Sequence, residues 1–254
     1  MSNKRGQNLL EVSMSQILFQ VKCPHCEGTN VKKNGKKANG TQNFYCHLCH
    51  KQFQFAYQYK GADPRIKRQV RCMTFNGSGI RDIHRVLGVS IAGILMILRV
   101  WFKTLEEPLV EGHFKRVQID EMWTFVEHRK QGKRWLWYAY DPDSGKILAF
   151  HIGKRNDSAC KALMKKISHL QIDSYRTDDW KSYKKHIPKE KHIIAKAKTT
   201  HIERRNRDFR THLKRLCRET VCFSKKDDMH YGIIKAYIFL RNKFGSLVKA
   251  EHTF

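Results

Sequence analysis

Residues 113–245 carry the most regular pattern of hydrophobic and polar positions in the chain. Apolar residues recur there either at every second position, which is typical of a half-buried strand, or at helical spacing. Five strands are predicted in this way, over residues 117–126, 134–140, 146–152, 174–178 and 192–195. Three helices are predicted over residues 157–170, 200–216 and 229–244. The first three strands follow one another through short turns, so we expect an antiparallel meander within a mixed five-stranded sheet flanked by helices, of the α/β or α+β class.

Residues 63–104 form a second segment, whose hydrophobic pattern is helical throughout. Helices are predicted over residues 65–76, 79–87 and 91–102. The first ends at Asn76-Gly77, and Gly88-Val89-Ser90 forms a tight turn with Ser90 as the N-cap of the third helix. Two helices joined by such a turn predict a helix-turn-helix. Glu106, Glu107 and Pro108 then mark a predicted linker, because a residue before proline disfavours helix.

The third helix of this segment is apolar at its start, with the sequence Ile-Ala-Gly-Ile-Leu-Met-Ile-Leu. In most helix-turn-helix proteins this helix places polar residues in the major groove of DNA. Two interpretations therefore remain open. The segment binds phosphates through basic side chains, or the third helix serves packing or dimerisation. The basic side chains concerned are Arg81, Arg85, Arg99 and Lys103.

Residues 21–57 contain two pairs of cysteines, Cys23-Pro-His-Cys26 and Cys46-His-Leu-Cys49, with 19 residues between the pairs. A pair with two intervening residues suits a turn whose two thiolates approach one ion from the same side, and two pairs complete the tetrahedral shell of a structural zinc ion. Two short strands are predicted between the pairs, and Asn34-Gly35 and Asn39-Gly40 are expected to supply turns. The segment is therefore predicted to be a zinc ribbon.

The charge of the chain points to a polyanionic partner. Lys and Arg number 50 against 23 Asp and Glu in 254 residues, a net charge of +27 that is spread along the whole length. Basic side chains gain affinity for nucleic acid by releasing phosphate counterions, and the zinc-ribbon and helix-turn-helix patterns favour the same partner. The remaining cysteines are scattered, which is typical of a reducing compartment. They are Cys72, Cys160, Cys217 and Cys222.

The sequence also sets expectations about location. No apolar stretch reaches the ~18 residues that span a bilayer, and residues 1–20 lack the apolar run and cleavage site of a signal peptide. We expect a cytoplasmic, nucleoid-associated bacterial protein with no membrane partner. Residues 1–20 are a weakly amphipathic lead-in to which no role is assigned.

Three carboxylates stand out in the last segment. Asp120 lies within the first predicted strand, Asp178 ends the fourth, and Glu203 lies near the start of the helix predicted at 200–216. Each has an ordinary explanation alone, as a solvated strand position, a turn residue, or an acid favoured by the helix dipole. Together they follow the order of the ribonuclease H-like fold, in which three such acids face one another. Three carboxylates suit two divalent ions that clamp the attacking and leaving oxygens of a phosphodiester.

Several motifs around these acids resemble those of the insertion-sequence-one family of bacterial transposases. Ile-Asp-Glu-Met-Trp-Thr-Phe-Val at 119–126 and Trp-Leu-Trp-Tyr-Ala-Tyr-Asp at 135–141 resemble the region of the first acid. Thr-Asp-Asp-Trp-Lys-Ser-Tyr at 177–183 resembles that of the second, with Asp179 where the family usually has glycine. His-Ile-Glu-Arg-Arg-Asn at 201–206 resembles the third, and the 24 residues between Asp178 and Glu203 suit the family's short spacing. The cysteine knuckle and helix-turn-helix also match, so the resemblance covers residues 21–245.

The resemblance implies a transposase that cuts transposon ends and joins the freed 3′-OH to target DNA. It implies Asp120, Asp178 and Glu203 as catalytic ligands of two Mg²⁺ (or Mn²⁺) ions, and action on DNA as a dimer or larger multimer. Further basic and polar residues are expected to line DNA. They are Lys196, Lys198, Arg204, Arg207, Arg210, Lys214 and Arg215. Arg205 and Asn206 lie one turn past Glu203 and are expected either to order Glu203 or to contact phosphate.

Two neighbouring acids compete with these assignments. Glu121 could replace Asp120, although adjacent strand residues point to opposite faces, so only one of them can serve. Asp179 could replace Asp178, and the family pattern favours the first of each pair. Trp180 is expected to pack and not to stack on a base. Two other functions remain open: a DNA-binding regulator without catalysis, and a nuclease or resolvase on the same fold that hydrolyses DNA without joining it.

Overall fold

The computed structural model describes residues 21–38, 40–54, 59–194 and 200–245. The chain divides into two compact units, Met1–Tyr59 and Lys60–Phe254, and each is described by itself. The predicted lead-in at residues 1–20 lies outside the described residues.

The first unit is built on a three-stranded antiparallel sheet. Strands β1 (Val31–Lys36), β2 (Gln42–Cys46) and β3 (Gln52–Gln54) pair in that order. The prediction of a turn at Asn34-Gly35 was wrong, because β1 runs through both residues. Gly35 has a φ of +68° and lies where the β1–β2 register shifts, so it forms a bulge.

The second unit begins with three helices, α1 (Pro64–Phe75), α2 (Ile80–Leu87) and α3 (Ile91–Thr104). The N-terminal signal of α3 acts as predicted, since the Ser90 hydroxyl accepts the Gly93 N–H at 3.1 Å. Gly88 adopts the left-handed conformation that ends α2. The axes of α2 and α3 meet at 112°, within the range of a helix-turn-helix. No single helix in the described part of the chain is long and apolar enough to cross a membrane, although α2 and α3 together pass that test as a bent pair.

A five-stranded mixed sheet forms the centre of this unit. Its order is β10-β9-β5-β6-β7. The first three of these strands in the chain, β5 (Val117–Phe125), β6 (Lys133–Asp141) and β7 (Lys146–Gly153), form the predicted antiparallel meander. Strand β9 (Tyr175–Thr177) runs parallel to both β5 and β10 (His192–Ile194). A short parallel pair, β4 (His113–Phe114) and β8 (Gln171–Ile172), lies outside this sheet.

Helices cover both faces of the sheet. On one face, Met122 and Tyr138 join a core that contains α6 (Thr200–His212), α7 (Asp227–Phe244) and the three N-terminal helices. On the other face, Ile119 and Trp137 pack with α4 (Asp157–Ile167) and α5 (Lys181–His186). The alternation of side chains along β5 therefore separates the side chains of adjacent residues into two environments.

Helices α3 and α7 approach closely where α7 has no side chain. A Cβ atom added to Gly232 would lie 2.1 Å from the buried ring of Phe102. Arg99 of α3 also pairs with Asp228 of α7 at 2.8 Å. The segment after α3 is also held against the rest of the unit. Its Glu107 carboxylate accepts one hydrogen bond from Lys166 at 2.6 Å and another from the Tyr231 hydroxyl. The three N-terminal helices are thus packed into the same core as the sheet.

Candidate active site

Asp120 occupies the middle of β5, on the face covered by α6. Its Oδ1 accepts the N–H of Glu121 at 2.8 Å, and its Oδ2 accepts a hydrogen bond from the Asn206 amide at 2.7 Å. Burial raises the pKa of Asp120 above the ordinary value, and the negative charges of Asp178 and Glu203 raise it further. Asp178 and Glu203 therefore lie close enough to Asp120 to act on it electrostatically.

Asp178 follows β9, the parallel neighbour of β5. The pairing of Val117 with Tyr175 and of Gln118 with Arg176 places Asp178 at the level of Asp120. Asp178 is half-buried, and its Oδ1 accepts the N–H of Trp180 at 3.1 Å. Asp179, by contrast, is exposed and pairs with Lys184 at 2.5 Å. Position, burial and charge thus favour Asp178 over Asp179 as the partner of Asp120.

Glu203 lies in the first turn of α6 and is exposed. The helix is docked on the sheet just before it, since the Ile202 N–H donates to Gln118 Oε1 at 2.9 Å and the Ile202 carbonyl accepts the Tyr138 hydroxyl at 3.1 Å. Within the described residues, only the four paired cysteines bring three or more candidate ligand atoms within 4.8 Å of one another. At least one pair among the three carboxylates therefore lies farther apart than 4.8 Å.

Asp120 and Glu203 open onto a cleft of about 630 Å³. Its other walls are basic and polar. They include Thr200, His201, Arg204, Arg207, Arg210 and Arg218. Arg218 was not among the residues predicted from the sequence. It follows α6 by six positions in a basic stretch, and only the folding of that stretch back toward the cleft brings it to the acids. A polyanion that entered this cleft would meet arginines beside two carboxylates.

Glu121 points to the opposite face of β5, where its carboxylate is bound by other side chains. Its side chain is 2% exposed and pairs with Arg155 at 2.5 Å, and it also accepts the Tyr183 hydroxyl at 2.5 Å. The Arg155 guanidinium lies between two indole rings, 5.0 Å from the centroid of Trp135 and 4.9 Å from that of Trp180. Glu121 is therefore the centre of a packed polar cluster. The expectation that Trp180 packs is met, since its ring also lies 5.1 Å from that of Trp137.

Comparison with known proteins identifies the family of this site. A family model described as the IS1 transposase matches residues 115–244, which include all three acids. The chain belongs to the IS1 transposase family. The zinc-ribbon segment and helices α1–α3 precede the matched residues.

Curated relatives agree with this assignment. The chain is 40% identical to the iso-IS1n protein InsB of Shigella dysenteriae over 121 residues, which are 48% of this chain and 92% of the relative. It is 34% identical over 125 residues to the IS1 protein InsB of Shigella sonnei, covering 49% of this chain and 95% of that one. The IS1 9 protein InsB of Escherichia coli K12 is also 34% identical, with 49% of this chain and 74% of that one covered.

One solved structure, a simian T-cell lymphotropic virus intasome in complex with the PP2A regulatory subunit B56 gamma, aligns with 18% identity and a TM-score of 0.31. The alignment covers 56% of this chain and 58% of that one. A likeness this weak carries no argument about fold or function.

The predicted DNA-lining residues of this IS1 family member separate into outward and inward groups. Arg204 and Arg207 are exposed on α6 beside the cleft. Arg205 turns inward, bonding Asp208 at 2.9 Å and the Tyr140 hydroxyl at 3.1 Å. Arg215 also turns inward and donates to the Ser224 hydroxyl at 3.0 Å, and burial lowers its pKa to about 10. The expectation that Arg215 lines DNA was therefore wrong.

The other predicted basic residues differ in their surroundings. Arg81, Arg85, Arg99 and Lys103 are all exposed on α2 and α3. Arg85 pairs with Asp82, and Arg99 pairs with Asp228, so part of this charge is neutralised within the chain. Lys214 is exposed, with its aliphatic part against Gly77. Lys196 and Lys198 lie outside the described residues.

The exposed side of α3 is apolar. Ile91, Met96 and Val100 are 42%, 66% and 53% exposed, while Ile94, Ile97 and Leu98 are buried in the core. The apolar run in the sequence therefore lies on two faces of α3, one of which is buried and the other exposed. Packing into the core accounts for the buried face.

The four paired cysteines of the first unit converge on one point. The Sγ atoms of Cys23, Cys26, Cys46 and Cys49 all lie within 4.8 Å of one another. Cys23 and Cys49 are 3.6 Å apart, as are Cys26 and Cys46. Four thiolates at the usual Zn–S distance of ~2.3 Å would be about 3.8 Å apart. The donor set and its spacing therefore fit a structural zinc ion.

Proposed function

We propose that this chain is a DNA transposase that binds the terminal inverted repeats of its element, cleaves the ends and joins the 3′-OH to target DNA. One observation carries the proposal: Asp120 opens onto a cleft lined by arginines. Burial and the charges of Asp178 and Glu203 raise the pKa of this acid. Membership of the IS1 transposase family supports it. The strand order and the positions of the acids suit a ribonuclease H-like catalytic domain.

The three acids fit divalent cations of the kind the reaction requires. Mg²⁺ takes oxygen ligands and keeps several waters, so a few carboxylates are enough to hold it. Two such ions, when bound, supply activation of the attacking hydroxyl and stabilisation of the leaving oxygen. The chain itself contributes a fixed Asp120 on β5, Asp178 at the same level just after β9, and Glu203 on a docked helix. A bound cation would offset the repulsion that Asp178 and Glu203 exert on Asp120.

The basic groups are assigned to DNA according to their position. Arg204, Arg207, Arg210 and Arg218 would neutralise phosphates next to the reacting bond. The zinc ribbon and the α2–α3 pair would hold the terminal repeat, with Arg81 and Lys103 on its phosphates. Since two ends must be brought together before joining, we expect a dimer or larger multimer on DNA.

The proposal is tested with purified full-length protein, Mg²⁺ or Mn²⁺, and a DNA duplex ending in the inverted repeats that flank the gene. Strand transfer is measured on a gel. Asp120→Asn, Asp178→Asn and Glu203→Gln should each abolish transfer and leave DNA binding in place. Asp179→Asn is the matched control, because its carboxylate is exposed and already paired with Lys184. It should retain transfer.

Each rival function gives a different result in the same assay. Cleavage without joined product would indicate a nuclease or resolvase. Sequence-specific binding without cleavage, unchanged in all three acid variants, would indicate a regulator. Transfer that survives loss of the acids would refute the assignment of Asp120, Asp178 and Glu203.

A further inference from the structure

Asn206 lies between the first acid and the helix that carries the third. Its Nδ2 donates to Asp120 Oδ2 at 2.7 Å, and its Oδ1 accepts the hydroxyl of Tyr138 at 2.8 Å. Tyr138 is fully buried and lies directly opposite Asp120 in the β5–β6 pairing. The amide thus bridges an acid and the side chain of that acid's partner on the next strand.

The direction of the amide follows from its two partners. A carboxylate can only accept a hydrogen bond, whereas the tyrosine hydroxyl has a proton to donate. Asn206 must therefore turn its NH₂ group to Asp120 and its oxygen to Tyr138. With the Glu121 N–H on Oδ1 and the amide on Oδ2, both carboxylate oxygens of Asp120 are held in place, and each keeps a lone pair for a cation.

The same group of residues fixes helix α6. The single hydroxyl proton of Tyr138 is shared between Asn206 Oδ1 and the Ile202 carbonyl, and Gln118 accepts the Ile202 N–H. Together with the Asn206–Asp120 hydrogen bond, these contacts tie the first two turns of α6 to β5 and β6. Glu203 lies between Ile202 and Asn206 on this helix and is exposed. Its position relative to Asp120 is therefore set by the residues before and after it.

We propose that Asn206 is a positioning residue: it orients the Asp120 carboxylate and holds α6 so that Asp120 and Glu203 face the same cations. This inference rests on the proposed function. Of the two roles expected for Asn206, it favours ordering over phosphate contact, and it names Asp120 as the acid that is ordered. A DNA-contacting amide would leave cation affinity unchanged when removed. A positioning amide would lower it in the absence of any DNA.

The test measures Mn²⁺ binding to the zinc-loaded full-length protein without DNA, by titration calorimetry or electron paramagnetic resonance. Loss of a group that orients a metal ligand typically lowers metal affinity about 10–100-fold. Asn206→Ala should do so. Tyr138→Phe keeps the ring packing and removes the hydroxyl, and it should lower the affinity in the same direction by a smaller factor.

Asn242→Ala is the matched control. Asn242 also joins a helix to a strand, exchanging two hydrogen bonds with the backbone of Ile147 at 3.0 and 2.8 Å, but it lies in α7, opposite β7. Its loss should leave Mn²⁺ affinity unchanged. Thermal unfolding of all three variants separates a local effect on the cation site from general destabilisation.

The outcomes distinguish this inference from the proposal on which it rests. If Asp120→Asn abolishes Mn²⁺ binding while Asn206→Ala and Tyr138→Phe bind as the unaltered protein does, the positioning role is overturned and the active site stands. A loss of DNA affinity alone in Asn206→Ala would likewise overturn it. If Asp120→Asn itself leaves Mn²⁺ binding unchanged, the proposed cation site fails, and the positioning role with it.

Discussion

The Glu121 cluster allows a quantitative prediction about stability. Replacing Arg155 by methionine would keep an unbranched side chain between Trp135 and Trp180 and would remove the charge that faces the buried Glu121 carboxylate. Only the Tyr183 hydroxyl would then remain as a described side-chain partner of that carboxylate. A buried charge that loses its partner destabilises the folded state, because its desolvation is no longer offset.

The size of the effect follows from the interactions that Arg155 makes. A hydrogen bond to a charged group contributes about 1.5–3 kcal/mol, and a cation over an aromatic ring at a partly exposed site contributes about 0.5–1 kcal/mol for each ring. Arg155 is 39% exposed, so solvent screens its charge and the full Coulombic attraction is discounted. We therefore expect Arg155→Met to lower the free energy of unfolding by about 2–4 kcal/mol.

The loss of stability should also depend on pH. Burial raises the pKa of Glu121 above its ordinary value of 4.5, against the opposing effects of Tyr183 and Arg155. Without Arg155 this pKa rises further. An acid with a raised pKa in the folded state binds more protons folded than unfolded, so stability falls as the pH rises from the unfolded pKa through the folded one. The deficit of Arg155→Met should therefore be larger at about pH 8 than at about pH 5.

Urea unfolding, followed by circular dichroism at both pH values, measures these effects. Glu121→Gln removes the charge and keeps the shape, so the double variant should lose less stability than the sum of the two single ones. Arg129→Met is the matched control: Arg129 also lies over an indole, 6.0 Å from the Trp123 centroid, but it is exposed. Its replacement should have a small effect at either pH. A deficit in Arg155→Met that is independent of pH and additive with Glu121→Gln would refute this reasoning.

Two further predictions concern helix packing and zinc. Gly232→Ala should lower the free energy of unfolding by about 1–3 kcal/mol, as overpacking does, because the added methyl meets the Phe102 ring; an unchanged melting temperature would contradict the close approach of α3 and α7. Cys23→Ser, or chelation of the metal, should release zinc and weaken DNA binding while the unit Lys60–Phe254 stays folded. Zinc content and DNA affinity equal to those of the unaltered protein would count against the zinc site.

Elements with strong local signals were predictable from the sequence. The meander β5–β7 has clear alternation and an Asp-Pro-Asp-Ser-Gly turn, and its observed ends fall within one residue of the predicted ones. The α2–α3 turn carries its own glycine and N-cap. Strand β3 and the pair β4–β8 were not predicted, because two or three residues are too few to show a period.

The candidate site was predictable in its residues but not in how their side chains meet. Period-two alternation separates Asp120 from Glu121, yet only the packing of α6 shows which face holds Asn206 and which holds Arg155. Arg215 could not be distinguished from its outward neighbours, because its partner Ser224 is brought to it by a fold of the intervening loop. Such pairings depend on tertiary structure, and residue type alone does not encode them.

The shared core of α3 and α7 has a consequence for the distance between a bound DNA sequence and the site of cleavage. Phe102 packs on Gly232, and Arg99 pairs with Asp228, so helix α3 is fixed against α7, one of the helices that cover the sheet. If α2 and α3 bind a transposon end, the packed core that joins α3 to α7 would set the number of base pairs between the bound sequence and the cut phosphate. The distance along the DNA from the bound sequence to the cleavage position would then be constant. Changes in the surface loops would not alter it.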